Sequence, residues 1–564
     1  MTIASLSPET IPSCIEEIHK SFQAGESIDL FKMGLMHEGI LLLQSDGEQK
    51  AKLLNMLGDI CAKSGKDHKA VHLYSDAVQQ MSSNSKFKLK YWHDLGIALM
   101  ECFERTRDIE DIRTAIKIVN EAVASISDDH PNKAALLNTL GSALLTCFEQ
   151  LGDPGDLNRS IQAQEDAVKL TPDSHPDKPT WLNFLGISLQ THFKRFGDPG
   201  YLDRSIQVKE DAVMLTPDGH PDKTIWLNNL GSSFLTRFEK FGVPGDLHRF
   251  IQVQEDAVKL TPESHPHKAI QLNNLGNALQ TCFQRFGNPE DLKRSIQVKE
   301  DVVKLTPDGH PNKSTRLNNL GSLLQISFEK FGNLADLTRS IQVKEELVEL
   351  TPDSHPDKPE WLNILGSSLE THFEQLGDLK DLNRSIQVQE NAVTLTPDGH
   401  PSKPIWLNNL GIPLLTRFKH LGDPQDLNRS IQVAEDAIML TPVDHPKKPT
   451  RLNNLGSSLL TRFERFKDPE DLNRSIQVKE DAVMLTPDGH PDKSRWLNSL
   501  GSSLLTCFER FGNLEHLNRS IQVTEDAVML TSKDHPSKPM RLNNLGSSLQ
   551  IRFEQLGDLK DLDR

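Results

Sequence analysis

No stretch of eighteen or more apolar residues occurs in the 564-residue chain, so the sequence holds no membrane-spanning helix. Cysteine is sparse, six residues in all, and no local pair such as C-x-x-C is present. That excludes a disulfide framework and a structural zinc site, and a reducing, cytoplasmic setting is expected. Basic residues are in deficit, 63 Lys and Arg against 79 Asp and Glu, giving a formal charge of −16. Nucleic-acid binding needs a basic stripe for phosphates, and anionic membrane needs a polybasic segment, so neither is an expected partner. The N-terminus, MTIASLSPETIPSC, lacks both the basic and the apolar parts of a secretory signal.

What the chain does have is one unit, many times over. Leu202–Lys223 reads LDRSIQVKEDAVMLTPDGHPDK and Leu472–Lys493 reads LNRSIQVKEDAVMLTPDGHPDK. The Gly of a Leu-Gly pair falls at 96, 141, 186, 231, 276, 321, 366, 411, 456, 501 and 546, every interval being 45 residues. A period between twenty and fifty marks a solenoid or propeller, in which each unit packs mainly on its neighbours and the core is a long seam. Around Gly231, apolar residues stand at Leu227, Leu230, Phe234, Phe238 and Phe241, one stripe of an amphipathic helix of about twenty residues, roughly 30 Å long. Gly242 suits the left-handed position that ends it. The second helix opens on Asp-Pro-x-x-Asp, as at Asp423 to Asp426, with an N-cap, a first-turn proline and a further carboxylate at the positive helix end. No strand pattern competes, and the fold class is all-α. Two copies depart from the pattern. Pro413 inside a first helix predicts a kink near Asn409, and Lys467 in place of the terminal glycine predicts a strained turn.

Residues 51–82 carry Gly58, Ala70, Tyr74 and Ala77 at spacings that resemble the tetratricopeptide repeat (TPR), a 34-residue helix–turn–helix. In later units Ser205, Ala212 and Pro217 keep the spacing of the TPR second helix. Gly186 to Ser205 is nineteen residues where Gly58 to Ala70 is twelve, so seven are added, about two helical turns. The resemblance implies a right-handed superhelical solenoid of stacked antiparallel helix pairs. It covers a standard-length unit at 50–85 and a 45-residue array over 86–564, the last unit incomplete, after a helical leader at 1–49 that is read as two helices near 11–22 and 28–43.

Candidate chemistry is thin. His-Pro-x-Lys recurs in ten loops, His130 to His535 and Lys133 to Lys538, but histidines a whole repeat apart, about 10 Å, cannot share a metal whose ligands lie near 2 Å. The motif reads as a turn, its proline starting the next helix. Gly58 to Lys66 has the wrong spacing for a phosphate loop. Glu210, Glu255 and Glu300 recur singly, as on a solvated helix face. Cys102, Cys147, Cys282 and Cys507 share a register with His192, Arg237, Ser327, His372 and Arg417, a tolerance that reads as partly exposed surface. Trp181, Trp226, Trp361, Trp406 and Trp496 share another register with Arg316, Arg451 and Arg541, which reads as half-exposed side chains over the loop. No cofactor, metal or catalytic residue is expected, and the chain is not read as an enzyme.

The polar side of the first helix is richer. Asn228, Ser232, Leu235, Thr236 and Glu239 share about 100° of arc, and across copies this stripe favours Asn, Ser, Gln and Thr. The LNNLG pattern is most similar to the kinesin-light-chain class of TPRs, and the resemblance implies that the first helices line a concave groove where asparagines meet an extended peptide backbone. Carried over, the candidates are Asn183, Asn228, Asn273, Asn318, Asn363, Asn408, Asn453, Asn498 and Asn543, with Asn277, Gln280 and Gln325 beside them. The alternative is that these amides bond to the adjacent unit and hold the stack together. The functional expectation is a protein-interaction scaffold with a protein or peptide partner. Long-period TPR arrays also precede CHAT-type peptidase domains, and on that resemblance the chain is a regulatory arm whose last unit stops at Arg564; a plain spacer is a third option.

Overall fold

The structure is a computed structural model, and it describes residues 47–64, 67–81 and 88–561 with a few isolated positions outside these spans. The expected leader helices lie outside the described residues apart from such positions. Two compact units divide the chain, 1–288 and 289–564. In the first, the helices are α1 (Gly47–Lys63), α2 (Asp67–Gln79), α3 (Lys88–Thr106), α4 (Ile109–Ala124), α5 (Lys133–Leu151), α6 (Pro154–Leu170), α7 (Lys178–Phe196), α8 (Pro199–Leu215), α9 (Lys223–Phe241), α10 (Pro244–Leu260) and α11 (Lys268–Phe286). In the second they are α12 (Pro289–Lys304), α13 (Lys313–Phe331), α14 (Leu334–Leu350), α15 (Lys358–Leu376), α16 (Leu379–Leu395), α17 (Lys403–Leu421), α18 (Pro424–Met439), α19 (Lys448–Phe466), α20 (Pro469–Met484), α21 (Lys493–Phe511), α22 (Leu514–Met529) and α23 (Lys538–Leu556), then a 3₁₀ turn at Leu559–Asp561. Among the described residues there is no strand. Consecutive helices pair, and each unit is a stack of such pairs, a TPR-like solenoid.

Within a pair, glycine brings the helices together. A Cβ on Gly186 would lie 2.6 Å from Lys209 Cγ, and one on Gly366 2.5 Å from Gln389 Cγ, so no side chain fits. The small residue of the second helix closes the gap with a hydrogen bond: Ser205 Oγ donates to Gly186 O at 2.6 Å and Ser385 Oγ to Gly366 O at 2.8 Å. Leu227, Leu230, Phe234 and Phe238 are buried as the stripe predicts, but Phe241 is 47 % exposed because it lies at the helix end. The two-turn insertion is shared between the helices. From the glycine to the small residue, five of the added residues extend the first helix and three the second, leaving one fewer between them.

The helix ends follow the sequence with a few revisions. Asp423 is the N-cap of α18, accepting from the Gln425 N–H at 2.9 Å, with Pro424 in the first turn. Gly242 has φ 68° and closes α9. Lys467 takes the same left-handed conformation with φ 62°, as does Arg107 with φ 59°, a strain of about 1 kcal/mol each for a residue with a Cβ. The helix α17 runs unbroken across Pro413. A Cβ on its Gly411 would meet nothing nearer than 3.4 Å, since Ala434 stands where most pairs carry Lys or Gln.

The His-Pro-x-Lys loop is a turn, though its proline does not begin a helix; the lysine does. His220 Nδ1 accepts from the Asp222 N–H at 3.2 Å, which tightens the turn. Lys268 Nζ donates to Val258 O at 3.0 Å and Thr261 O at 2.9 Å, satisfying carbonyls at the end of the preceding helix. Each loop lysine thus caps one helix and opens the next.

Candidate partner-binding face

The asparagine row is bonded along each stack. In the first unit Asn229 Nδ2 donates to Asn183 Oδ1 at 3.0 Å, and Asn274 Nδ2 to Asn228 Oδ1 at 3.3 Å. In the second, Asn409 donates to Asn363 at 3.0 Å, Asn454 to Asn408 at 3.0 Å and Asn544 to Asn498 at 3.1 Å. The second asparagine of one LNN therefore feeds the first asparagine of the pair before it. Where that second residue is not an amide, the acceptor is orphaned. Phe184, Ile364 and Ser499 stand where the donor should be, and Asn138, Asn318 and Asn453 each have a buried Oδ1 with no partner. Asn183, Asn363 and Asn453 are buried, Asn228, Asn273, Asn318, Asn408 and Asn498 half-buried, and Asn543 exposed on α23. Gln280 and Gln325 are half-buried and Asn277 exposed. Gln325 Nε2 donates to Glu329 Oε1 at 3.2 Å, and its Oε1 accepts from Ser368 at 3.3 Å.

Other registers turn out to be more deeply built in than their tolerance suggested. Trp226, Trp361, Trp406 and Trp496 are buried, as are Arg451 and Arg541, whose guanidinium groups reach the hydroxyls of Thr441 and Thr531. Long side chains of either kind fill the space over the loop, buried in these copies and half-exposed at Trp181 and Arg316. The Cys/Arg/His/Ser register packs against the second acid of Asp-Pro-x-x-Asp. Arg237 Nη2 lies 2.7 Å from Asp246 Oδ1, Ser327 Oγ donates to Asp336 at 2.6 Å, and His372 pairs with Asp381 at 2.7 Å. In the copy with Tyr201 at the acid position, His192 stacks on its ring at 3.6 Å. The recurring glutamates are not free on a solvated face: Glu210 pairs with Arg249 at 2.7 Å, and Glu345 with Arg384 at 3.0 Å.

The C-terminal part of a TPR repeat-containing protein from Cytophaga hutchinsonii aligns at 12 % identity with a TM-score of 0.37, covering 54 % of this chain and 98 % of that one. The nearly identical TPR-like repeats of a putative kinesin light chain from Podosopora anserina align at 15 % identity and TM-score 0.31, covering 38 % and 98 %. The Cut9–Hcn1 hetero-tetramer of the APC/C aligns at 11 % and 0.35, covering 97 % of each chain. The structural neighbours are TPR proteins. No protein-family model and no curated protein matches the chain.

Buried lysines are the residues that sequence reasoning missed. Lys209, Lys299, Lys344 and Lys479 lie inside the stack, each 2 % exposed or less. Lys209 Nζ donates to Gln190 Oε1 and to Ser233 Oγ, both at 2.7 Å, and so bonds the first helix of its own pair and that of the next. Lys479 makes the corresponding bond to Ser503 Oγ at 2.7 Å. Burial pushes the Lys209 ammonium down to about 7, with Lys194 adding repulsion. Burial pushes Lys344 and Lys479 down to about 8, partly opposed by Glu329 and Glu464. The signal was present in the sequence: Lys209 follows Ser205 by four residues and precedes Ala212 by three, which puts it on their buried face. Glu370, on the first-helix side, is likewise pushed up to about 7, by burial and then by Glu374. Among the described residues, no group of three or more His, Cys, Asp and Glu could hold a metal, and no helix is long and apolar enough to cross a membrane.

Proposed function

We propose that the chain is a non-enzymatic scaffold that takes a segment of a partner protein along the side of the stack formed by its first helices, the concave groove of a TPR-like array. The observation that carries this is the face left over once the stack has met its own needs. Ser232, Ser322, Ser367 and Ser502 are exposed in one register of the repeat, beside half-buried Thr236, Thr371 and Thr506. Exposed helix faces ordinarily carry Lys and Glu, which favour helix and solubility; a row of uncharged hydroxyls suits hydrogen bonding to peptide groups of another chain. In this reading Asn277, Gln280 and Gln325 belong to the binding face, and the first asparagines of the LNN motifs, Asn183 to Asn543, support it from beneath. The chain works in a reducing cytoplasm, in keeping with Cys61, Cys102, Cys147, Cys282 and Cys507 as buried cysteines outside any disulfide.

Proximity labelling with mass spectrometry names a partner, and purified chain is then titrated with it. Ser322→Arg, Ser367→Arg and Ser502→Arg together should abolish binding at unchanged helicity. Arginine at Gln207, Gln342 and Gln477 on the second helices should not. Equal binding by both triple variants would end the proposal.

A further inference from the structure

In the first unit, the C-terminal ends of α7 and α9 enclose an open pocket of 770 Å³ lined by Lys194, Arg195, Phe196, Ser232, Thr236 and Lys240. Glu239 is the one carboxylate in it, so the pocket carries a formal charge of +2 on a chain of −16. All three cations are exposed, and none pairs with a carboxylate among the described residues. Arg195 and Lys240 belong to a register that is mostly basic, where a cation complements the negative end of its own helix. Lys194 does not. Its register is glutamate in every other copy from Glu104 to Glu554 except Gln284 and Lys419.

Beneath the pocket runs a polar chain that fixes its donors. Lys209 Nζ holds Gln190 Oε1 at 2.7 Å, so the Gln190 amide nitrogen points the other way, to Thr236 Oγ1 at 2.9 Å and Ser232 Oγ at 3.3 Å. Thr236 spends its own proton on Ser232 O at 2.8 Å. Ser232 Oγ accepts from the amide and keeps its hydroxyl proton for the pocket. Gln190 is 6 % and Lys209 1 % exposed, so the donor geometry is set before any ligand arrives. At Lys419 the corresponding positions are Leu415 and Ala434, and no such chain exists.

We propose that this pocket binds an acidic peptide segment, its carboxylates set against Lys194, Arg195 and Lys240 and one of them accepting from the Ser232 hydroxyl. The inference rests on the partner-binding reading above and names the chemistry of the partner. Charge complementarity favours it: an acidic segment is repelled by most of this chain and attracted here, which fixes where it docks.

The test uses the full chain and a fluorescein-labelled decapeptide of alternating Glu and Leu, with a Lys/Leu decapeptide as its counterpart, read by anisotropy at low ionic strength. The Glu/Leu peptide should bind in preference to the Lys/Leu peptide. Lys194→Glu, which installs the common residue of its register, should weaken binding on the order of tenfold, and Lys419→Glu less than about twofold. Gln190→Leu, matching Leu235 and Leu415, should weaken it severalfold at unchanged helicity. No binding of the Glu/Leu peptide, equal or tighter binding of the Lys/Leu peptide, or equal losses from Lys194→Glu and Lys419→Glu would overturn the proposal. A named partner still captured through the serine face, with the acidic peptide unbound, sinks this pocket alone. The acidic peptide bound in a chain whose serine-face variants capture the partner normally sinks the wider reading and leaves the pocket.

Discussion

The joint from α7 to α9 and the joint from α19 to α21 share one framework and part company in the asparagine row. At the first, Asn229 donates to Asn183; at the second, Ser499 stands in the donor's place and Asn453 Oδ1 is buried without a partner. Both keep the glycine, the Ser–Gly hydrogen bond and the buried lysine. The difference teaches that the LNN asparagines are first a stacking device, since their partners lie in the neighbouring pair and the defect appears where that neighbour changes.

The strongest way to break the comparison is to strike what the joints share. Gly186→Val and Gly456→Val place a Cβ 2.6 and 2.7 Å from the Cγ of Lys209 and Lys479, and each should cost about 3 kcal/mol, measured as a drop in the urea midpoint. The next effect is pH. A lysine whose folded value is depressed binds its proton more readily in the unfolded chain, so stability rises with pH from the folded value to the ordinary 10.5, by at most about 1.4 kcal/mol per pH unit per group. The rise from Lys209 should begin near pH 7 and that from Lys479 near pH 8, and Lys209→Met or Lys479→Met should flatten its own part in urea titrations across pH 7–10. Asn183→Ala should cost about 1–2 kcal/mol, because the half-buried Asn229 amide loses its acceptor, while Asn453→Ala should cost less; hydrogen exchange of α7 and α9 against α19 and α21 separates them. Smallest is the repair. Ser499→Asn should return about 0.5–1 kcal/mol and bring exchange at the second joint level with the first.

The repeat made most of the fold legible. Period, glycine caps, Asp-Pro N-caps and the apolar stripe depend on near neighbours in the chain, and a single sequence displays those. The registers that were misjudged depend on residues a repeat or a helix away. Trp and Arg at one position look half-exposed until Thr441 and Thr531 are seen to receive the guanidinium. Arg237 looks like surface until Asp246 meets it from the next helix. The asparagine row was legible as a row, and stacking was one of its two readings. The orphaned acceptors could have tipped the balance from sequence alone, since Phe184, Ile364 and Ser499 interrupt the donors. Lys209 was hidden by the habit of placing lysine outside, although its spacing from Ser205 and Ala212 gave its face away.

The loop lysines have a genealogical consequence. Because each caps the helix behind it and begins the helix ahead, a 45-residue segment cut at any such lysine ends and starts with the same chemistry. Unequal crossing-over can therefore add or remove a whole pair without leaving a raw joint, and copy number is free to drift. What does not drift freely is the order of neighbours. Removing the pair that contains Asn409 would set Asn454 against Asn363, a sound match, whereas removing the one that contains Asn454 would set Ser499 against Asn408 and move the flaw up the array.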